Sequence, residues 1–212
     1  MASTAWVAER AIPLLKTKLD MGVEVELREP SSVVEIGTKT VDNKVHFTRF
    51  FCTFKACIDG FLFGCRPYIS IDSTHLNGEW SGQMPAAVSI DGHNWMFPIA
   101  FGLFGSETKE NWIWFMEQLS KAIGPVPRMA VCTDACKGLE GAVKQVFPWA
   151  EQRECFRHLM DNMKKYYTRD VYDNIWPAAR AYSPHRFKYF FDKVLAASPT
   201  VTNWLERNHK LL

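Results

Sequence analysis

The chain has 212 residues, of which 47% are hydrophobic, 14% aromatic and 23% charged, with a formal net charge of +2. That length suits one sizeable domain plus a helical extension, and that balance is too apolar for a disordered chain. No apolar run is long enough to span a bilayer, and the stretch from Met1 to Arg10 lacks the basic start and apolar run of a secretion signal. The expectation is an intracellular protein whose six cysteines are reduced.

In chain order, Ala5 to Lys18 reads as a short amphipathic helix interrupted by Pro13. Met21 to Lys44 is polar and turn-rich, with Pro30-Ser31-Ser32 as a breaker. From His46 the pattern changes: Phe47, Phe50, Phe51, Phe54 and Phe61 crowd one stretch, broken at Asp59-Gly60. Pro67 to Asp72 predicts a short buried strand that ends in a carboxylate. Gln83 to Ile90 and Trp95 to Leu103 are two further apolar runs, joined by the turn sequence Asp91-Gly92-His93-Asn94. Thr108 suits an N-cap, and Trp112, Phe115, Met116, Leu119 and Ile123 then recur at helical spacing until Gly124-Pro125. Arg128 to Asp134 is a second apolar strand ending in Asp. Leu139, Ala142, Val143 and Val146 mark a helix, and Ala150 to Glu154 a short strand. Beyond Cys155 everything reads as helices: Phe156–Tyr167, Asp170–Tyr182, Pro184–Ala196 and Pro199–Leu211.

Strand, hairpin strands, helix, strand, helix, strand and then helices describe a mixed α/β sheet with helices on its faces. That is the order of a ribonuclease-H-like fold, followed by an all-helical segment. An open doubly wound fold suits it less well, because three strands precede any substantial helix. Charge is unevenly divided. From Cys155 onward there are ten Lys/Arg against five Asp/Glu, a net +5, and the remainder carries −3. A basic C-terminal part suits a nucleic-acid partner, and equally a solvated helical surface.

Asp72 and Asp134 are the residues with chemistry to offer. Carboxylates closing neighbouring strands can converge on one point and share divalent cations, with phosphate oxygens filling the open positions. The structural alternatives are plain: two strand-end acids are common, and Asp134 could simply cap the helix that follows. Asp91, beside Gly92, reads as a turn residue, and His75 and His93 as loop or turn residues. Cys155 and His158 stand three apart at a helix start and are both good zinc ligands. A structural zinc site needs four, and no second pair with suitable spacing exists, so zinc is not expected. Cys52, Cys57, Cys65, Cys132 and Cys136 read as structural thiols without a CxxC pair.

Several segments resemble a known family. Phe51 to Leu76, with Cys65-Arg66-Pro67-Tyr68-Ile69-Ser70-Ile71-Asp72-Ser73-Thr74-His75, resembles the segment around the first catalytic Asp of plant Mutator-like element (MULE) transposases. Phe97-Pro98-Ile99-Ala100-Phe101 and Glu110-Asn111-Trp112-Ile113-Trp114-Phe115 resemble that family's second strand pair and first core helix. Cys132-Thr133-Asp134-Ala135-Cys136-Lys137-Gly138-Leu139 resembles the second catalytic Asp and its helix, and Cys155-Phe156-Arg157-His158 the Cys-x-x-His signature. The likeness runs in the family's order from Val45 to Trp204.

The resemblance implies a DDE-type DNA transposase using Mg²⁺ or Mn²⁺, with Asp72 and Asp134 as its first two catalytic metal ligands. Its partner would be double-stranded DNA at transposon ends, its place the nucleus, and self-association is compatible with it. The implied division is 1–44 as a short N-terminal remnant or linker, 45–160 as the ribonuclease-H-like core and 161–212 as a helical extension, the start of the family's helical insertion. In the family the catalytic Glu follows that insertion, so Leu212 precedes it. Glu206 lacks the expected Asn-rich context, Asp161 is a candidate substitute, and Ser73 stands where relatives usually carry Gly. Three readings compete: a transposase core that is inactive alone, a domesticated DNA- or protein-binding regulator without catalysis, and a self-sufficient ribonuclease-H-like nuclease.

Overall fold

The computed structural model describes residues 31–78, 81–134 and 137–208, with Lys137 and Asn208 described in their backbone only. The helix expected over Ala5–Lys18 lies outside the described residues, as does Cys136. The chain divides into two compact units, Met1–Gln152 and Arg153–Leu212.

The first unit begins with a hairpin of β1 (Val33–Val41) and β2 (Lys44–Thr53). Its turn is Asp42-Asn43, both with positive φ (49° and 56°), the pair of left-handed residues that a tight two-residue hairpin turn demands. The sequence reading passed over β1 because its β-branched residues alternate with Glu35, Lys39 and Gly37 rather than forming an apolar run. Next comes α1 (Lys55–Gly64), which carries Asp59-Gly60 inside it rather than breaking there. Lys55 and Asp59 pair one helical turn apart, and Ile58 and Phe61 are buried. Gly60 is small for a tertiary reason: a Cβ there would lie 2.4 Å from Cζ of Phe97.

Three strands follow, β3 (Tyr68–Leu76), β4 (Gly82–Ile90) and β5 (Met96–Phe104), then α2 (Lys109–Ile123), β6 (Ala130–Thr133), α3 (Lys137–Val146) and β7 (Glu151–Glu154). The sheet order is β1-β2-β5-β4-β3-β6-β7. Pairing is antiparallel from β1 through β3, and β3 and β6 are parallel. This seven-stranded mixed sheet with flanking helices is consistent with a ribonuclease-H-like fold.

Helix α2 forms where its periodicity expects it. The Thr108 hydroxyl caps it by accepting from the Asn111 N–H (3.3 Å), and Gly124 at φ 66° ends it. Its buried face, Trp112, Phe115, Met116 and Leu119, packs with Ile69, Ile71, Ala87 and Ile99 of the sheet and with Leu139 and Val143 of α3. Phe115 also stands edge-on to Phe51 at 5.4 Å. At Gly102 this layer has no spare room. A Cβ there would meet the Phe50 carbonyl oxygen at 2.5 Å and the Phe115 ring at 3.1 Å. The first contact is backbone within the sheet and cannot swing aside. Gly102→Ala is therefore expected to cost about 1–3 kcal/mol by overpacking, read as a lowered urea midpoint. An unchanged midpoint would show that the β2–β5 pair can open at no cost.

The second unit is helical: α4 (Phe156–Met163), α5 (Arg169–Ala179), α6 (Pro184–Ala197) and α7 (Val201–Asn208). Helices α4 and α5 end earlier than the sequence reading drew them, α6 runs one residue further, and the expected end of the last helix lies outside the described residues. Leu159, Met160, Met163, Val171, Ile175, Val194 and Val201 form its core. Phe156 stands edge-on to Trp176 at 4.8 Å, and Tyr172 donates its hydroxyl to the Met160 carbonyl (3.1 Å). Ser183 caps α6 by accepting from the Arg186 N–H, with Pro184 in its first turn.

Candidate active site

The parallel ladder of β3 and β6 pairs Tyr68, Ile69, Ser70 and Ile71 with Ala130, Val131, Cys132 and Thr133 in turn. Asp72 and Asp134 each follow the last of these pairs by one residue. Asp72 is still within β3, whereas Asp134 lies just past the end of β6. Both are half-buried. Ile71 and Thr133, one position back on each strand, are fully buried and anchor the two backbones.

Asp72 does not end its strand, as the sequence led us to expect. Strand β3 runs on to Leu76, because β4 keeps pairing with it from Asp72↔Ala86 to Leu76↔Gly82. On its other edge the ladder with β6 stops at Ile71↔Thr133. Asp72 therefore lies where β3 is still paired with β4 but no longer with β6. One Asp72 oxygen, Oδ1, accepts the Ser73 N–H at 2.9 Å.

A polar chain surrounds the residue after Asp72. The Ser73 hydroxyl donates to Glu107 Oε1 (2.7 Å) and lies 3.3 Å from Gln83 Oε1. Gln83 Nε2 is in turn 3.2 Å from His75 Nδ1. His75 thus belongs to β3, not to a loop, and pairs in register with Gln83. Sequence reasoning missed Glu107 and Gln83 altogether. Glu107 lies in an irregular segment just before the Thr108 cap, and nothing local links it to Ser73, thirty-four residues earlier. At the start of α3, a Cβ on Gly138 or Gly141 would lie in van der Waals range of Lys109 at the start of α2.

The other candidates take structural parts. Asp91 Oδ1 accepts the N–H groups of His93 (2.8 Å) and Trp95 (2.9 Å), which builds the β4–β5 turn with Asn94 at φ 65°. Cys52 and Cys132 are buried, and burial pushes the Cys52 thiol up to about 12, so it stays protonated near neutrality. Burial also raises the Cys57 and Cys65 thiols. In the second unit Cys155 is the residue before α4, and His158 Nε2 lies 3.2 Å from Arg157 Nη2. Asp161 bonds Lys164 at 2.8 Å, and that ammonium holds its carboxyl below the usual range. Glu206 is exposed on α7. Among the described residues no three His, Cys, Asp or Glu side chains are grouped closely enough to hold one metal ion. Among them too, no helix is long and apolar enough to cross a membrane.

Residues 68–162 match the sequence model of the MULE transposase domain. The matched stretch begins with β3, includes both aspartates and ends in α4, just past Cys155 and His158. Among curated proteins, FAR1-RELATED SEQUENCE 6 of Arabidopsis thaliana is 27% identical over 136 residues, which is 56% of this chain and 19% of that protein. A PKS-NRPS hybrid synthetase, cheA of Chaetomium globosum, is 29% identical over 119 residues, 51% of this chain and 2% of that protein. The chain therefore spans at most about a fifth of the length of these relatives.

Proposed function

We propose that this chain is a core segment of a MULE-type DDE transposase, in which Asp72 and Asp134 hold a divalent cation, Mg²⁺ or Mn²⁺, for cleavage and transfer of DNA strands. One observation carries the reading: parallel pairing of β3 and β6 puts both aspartates one step past Ile71↔Thr133, within the stretch that matches the MULE domain. The donor set fits such a cation. It offers two half-buried carboxylates, and hard oxygen ligands suit magnesium and manganese better than zinc. A divalent cation held there would stabilise the attacking and leaving oxygens of a phosphodiester exchange. Asp72 and Asp134 would bind it, while the Ser73 N–H restrains Asp72 Oδ1. The Glu107–Ser73–Gln83–His75 chain would steady the strand beneath.

Two carboxylates hold one ion loosely, with water on the remaining positions. In-line displacement needs both reacting oxygens stabilised together, so a further carboxylate from outside this pair would complete the site. Residues 1–212 are thus expected to be catalytically silent alone. In this reading double-stranded DNA at transposon ends is the substrate, and the nucleus is where it is met. The basic stretch after Cys155 would make weak, salt-sensitive phosphate contacts that need no metal. A second reading, a transposase-derived DNA- or protein-binding regulator without catalysis, draws on the same two-carboxylate arrangement, because the fold and phosphate contacts survive without the chemistry.

The test is a Mn²⁺-supported cleavage assay on double-stranded DNA, run beside Asp134→Asn. Neither protein is expected to cut above background. Cutting by the wild-type chain that Asp134→Asn abolishes would refute the silence while upholding the metal site. Cutting that Asp134→Asn leaves intact would sink the aspartate site itself.

A further inference from the structure

Helix α6 carries a band of side chains that neither the helical core nor the aspartate pair uses. Tyr182 stands just before the helix, four residues ahead of Arg186; Tyr189 and Phe190 lie three and four residues past Arg186, and Lys193 four and three past them, so the band shares one side. The residues that serve the core are elsewhere on the turn, with Val194 buried and Phe191 packed against the cluster. Tyr182 is 89% exposed and Tyr189 53%, which is far more aromatic surface than a solvated helix face needs.

Cations and rings alternate along the band. The Arg186 guanidinium lies 5.9 Å from the Tyr182 ring centroid and 5.6 Å from that of Phe190. Lys193 Nζ lies 4.3 Å from the Tyr189 centroid and 6.0 Å from that of Phe190. Among the described residues neither cation is ion-paired, whereas Lys188, off the band, is paired with Asp192.

We propose that this band is a binding site for single-stranded DNA, with unpaired bases stacked on Tyr182, Tyr189 and Phe190 and phosphates drawn to Arg186 and Lys193. The alternation selects this partner. A duplex would satisfy the cations but keeps its base faces stacked inside. An acidic protein segment would likewise satisfy the cations and leave the rings in water. Only an unpaired strand presents flat faces and negative charge in turn along its length. From Arg186 to Lys193 the helix rises about 10 Å, a reach suited to a few consecutive nucleotides. The choice of DNA over RNA rests on the transposase reading, and the band itself does not.

The test is fluorescence anisotropy of the whole chain with a labelled oligothymidine, a duplex of equal length and an oligouridine, all in EDTA. The single DNA strand should bind more tightly than the duplex or the oligouridine. Tyr189→Ala should weaken single-strand binding by about 5- to 100-fold and leave duplex binding unchanged. Tyr189→Phe, which keeps the ring, should retain the affinity. Lys193→Gln should reduce the salt slope by about 0.7. Single-strand affinity unmoved in Tyr189→Ala and Phe190→Ala proteins that keep their circular dichroism would overturn the proposal. So would loss of self-association, not of DNA binding, in the same variants, and equal or tighter oligouridine binding would overturn the assignment to DNA. Because EDTA removes the cation, failure here leaves the aspartate site untouched, and a failed metal site leaves this result standing.

Discussion

Trp112→Ala should lower the unfolding free energy of the first unit by about 3–5 kcal/mol, seen as a large drop in urea midpoint by circular dichroism. Trp112 is 0% exposed and sits where α2 meets the sheet. Its ring stands edge-on to Phe104 at 5.2 Å and to Phe115 at 6.3 Å, so truncation forfeits two aromatic contacts and opens a cavity between layers. The indole N–H adds a twist. Nε1 is buried with no hydrogen-bond partner among the described residues, and an unmet buried donor costs about 1–3 kcal/mol. Trp112→Phe keeps most of the ring contact and sheds that donor. Its loss should be less than half that of Trp112→Ala. Equal losses for the two variants would mean that the aromatic contacts carry no more than the cavity does.

Asp134→Asn and Asp72→Asn should each weaken Mn²⁺ binding at least about tenfold, measured by calorimetry on the whole chain. If the two carboxylates share one ion, the double variant should bind no more weakly than either single one, because the site is already lost. Asp161→Asn serves as a contrast. Its carboxylate is engaged by Lys164 on an exposed face of α4, and its removal should leave Mn²⁺ affinity unchanged. Unaltered affinity in Asp134→Asn, or losses that simply add in the double variant, would show that the aspartates do not share a cation.

How much of this is legible in the chain depends on how far apart the interacting residues lie. Helix α2 could be drawn from the sequence, because its cap, its apolar spacing and its terminating Gly124 all act within one or two turns. The β4–β5 turn could be drawn for the same reason, since Asp91 bonds groups only two and four residues on. Strand β1 and helix α1 could not. Strand β1 is held by its ladder with β2 and not by an apolar run of its own, and Asp59-Gly60 is helical because Gly60 admits the Phe97 ring. Propensity yields to packing there.

The site divides in the same way. Asp72 and Asp134 stand out by themselves as acids that interrupt apolar runs, and the MULE resemblance singles them out again. What sets each of them one residue past Ile71↔Thr133 is tertiary. It depends on β3 accepting β6 in parallel after β4, β5 and α2 have intervened, and on β6 stopping one residue short of Asp134 while β3 runs on. Glu107 and Gln83 had no sequence signal at all, since a carboxylate before a helix cap and an amide at the start of a strand are ordinary surface residues. Only the folded sheet, which carries Ser73 to both, gives them a partner. Local chemistry follows from neighbours along the chain, whereas a shared site requires strands distant in sequence to meet, and burial of the layer beneath them decides that.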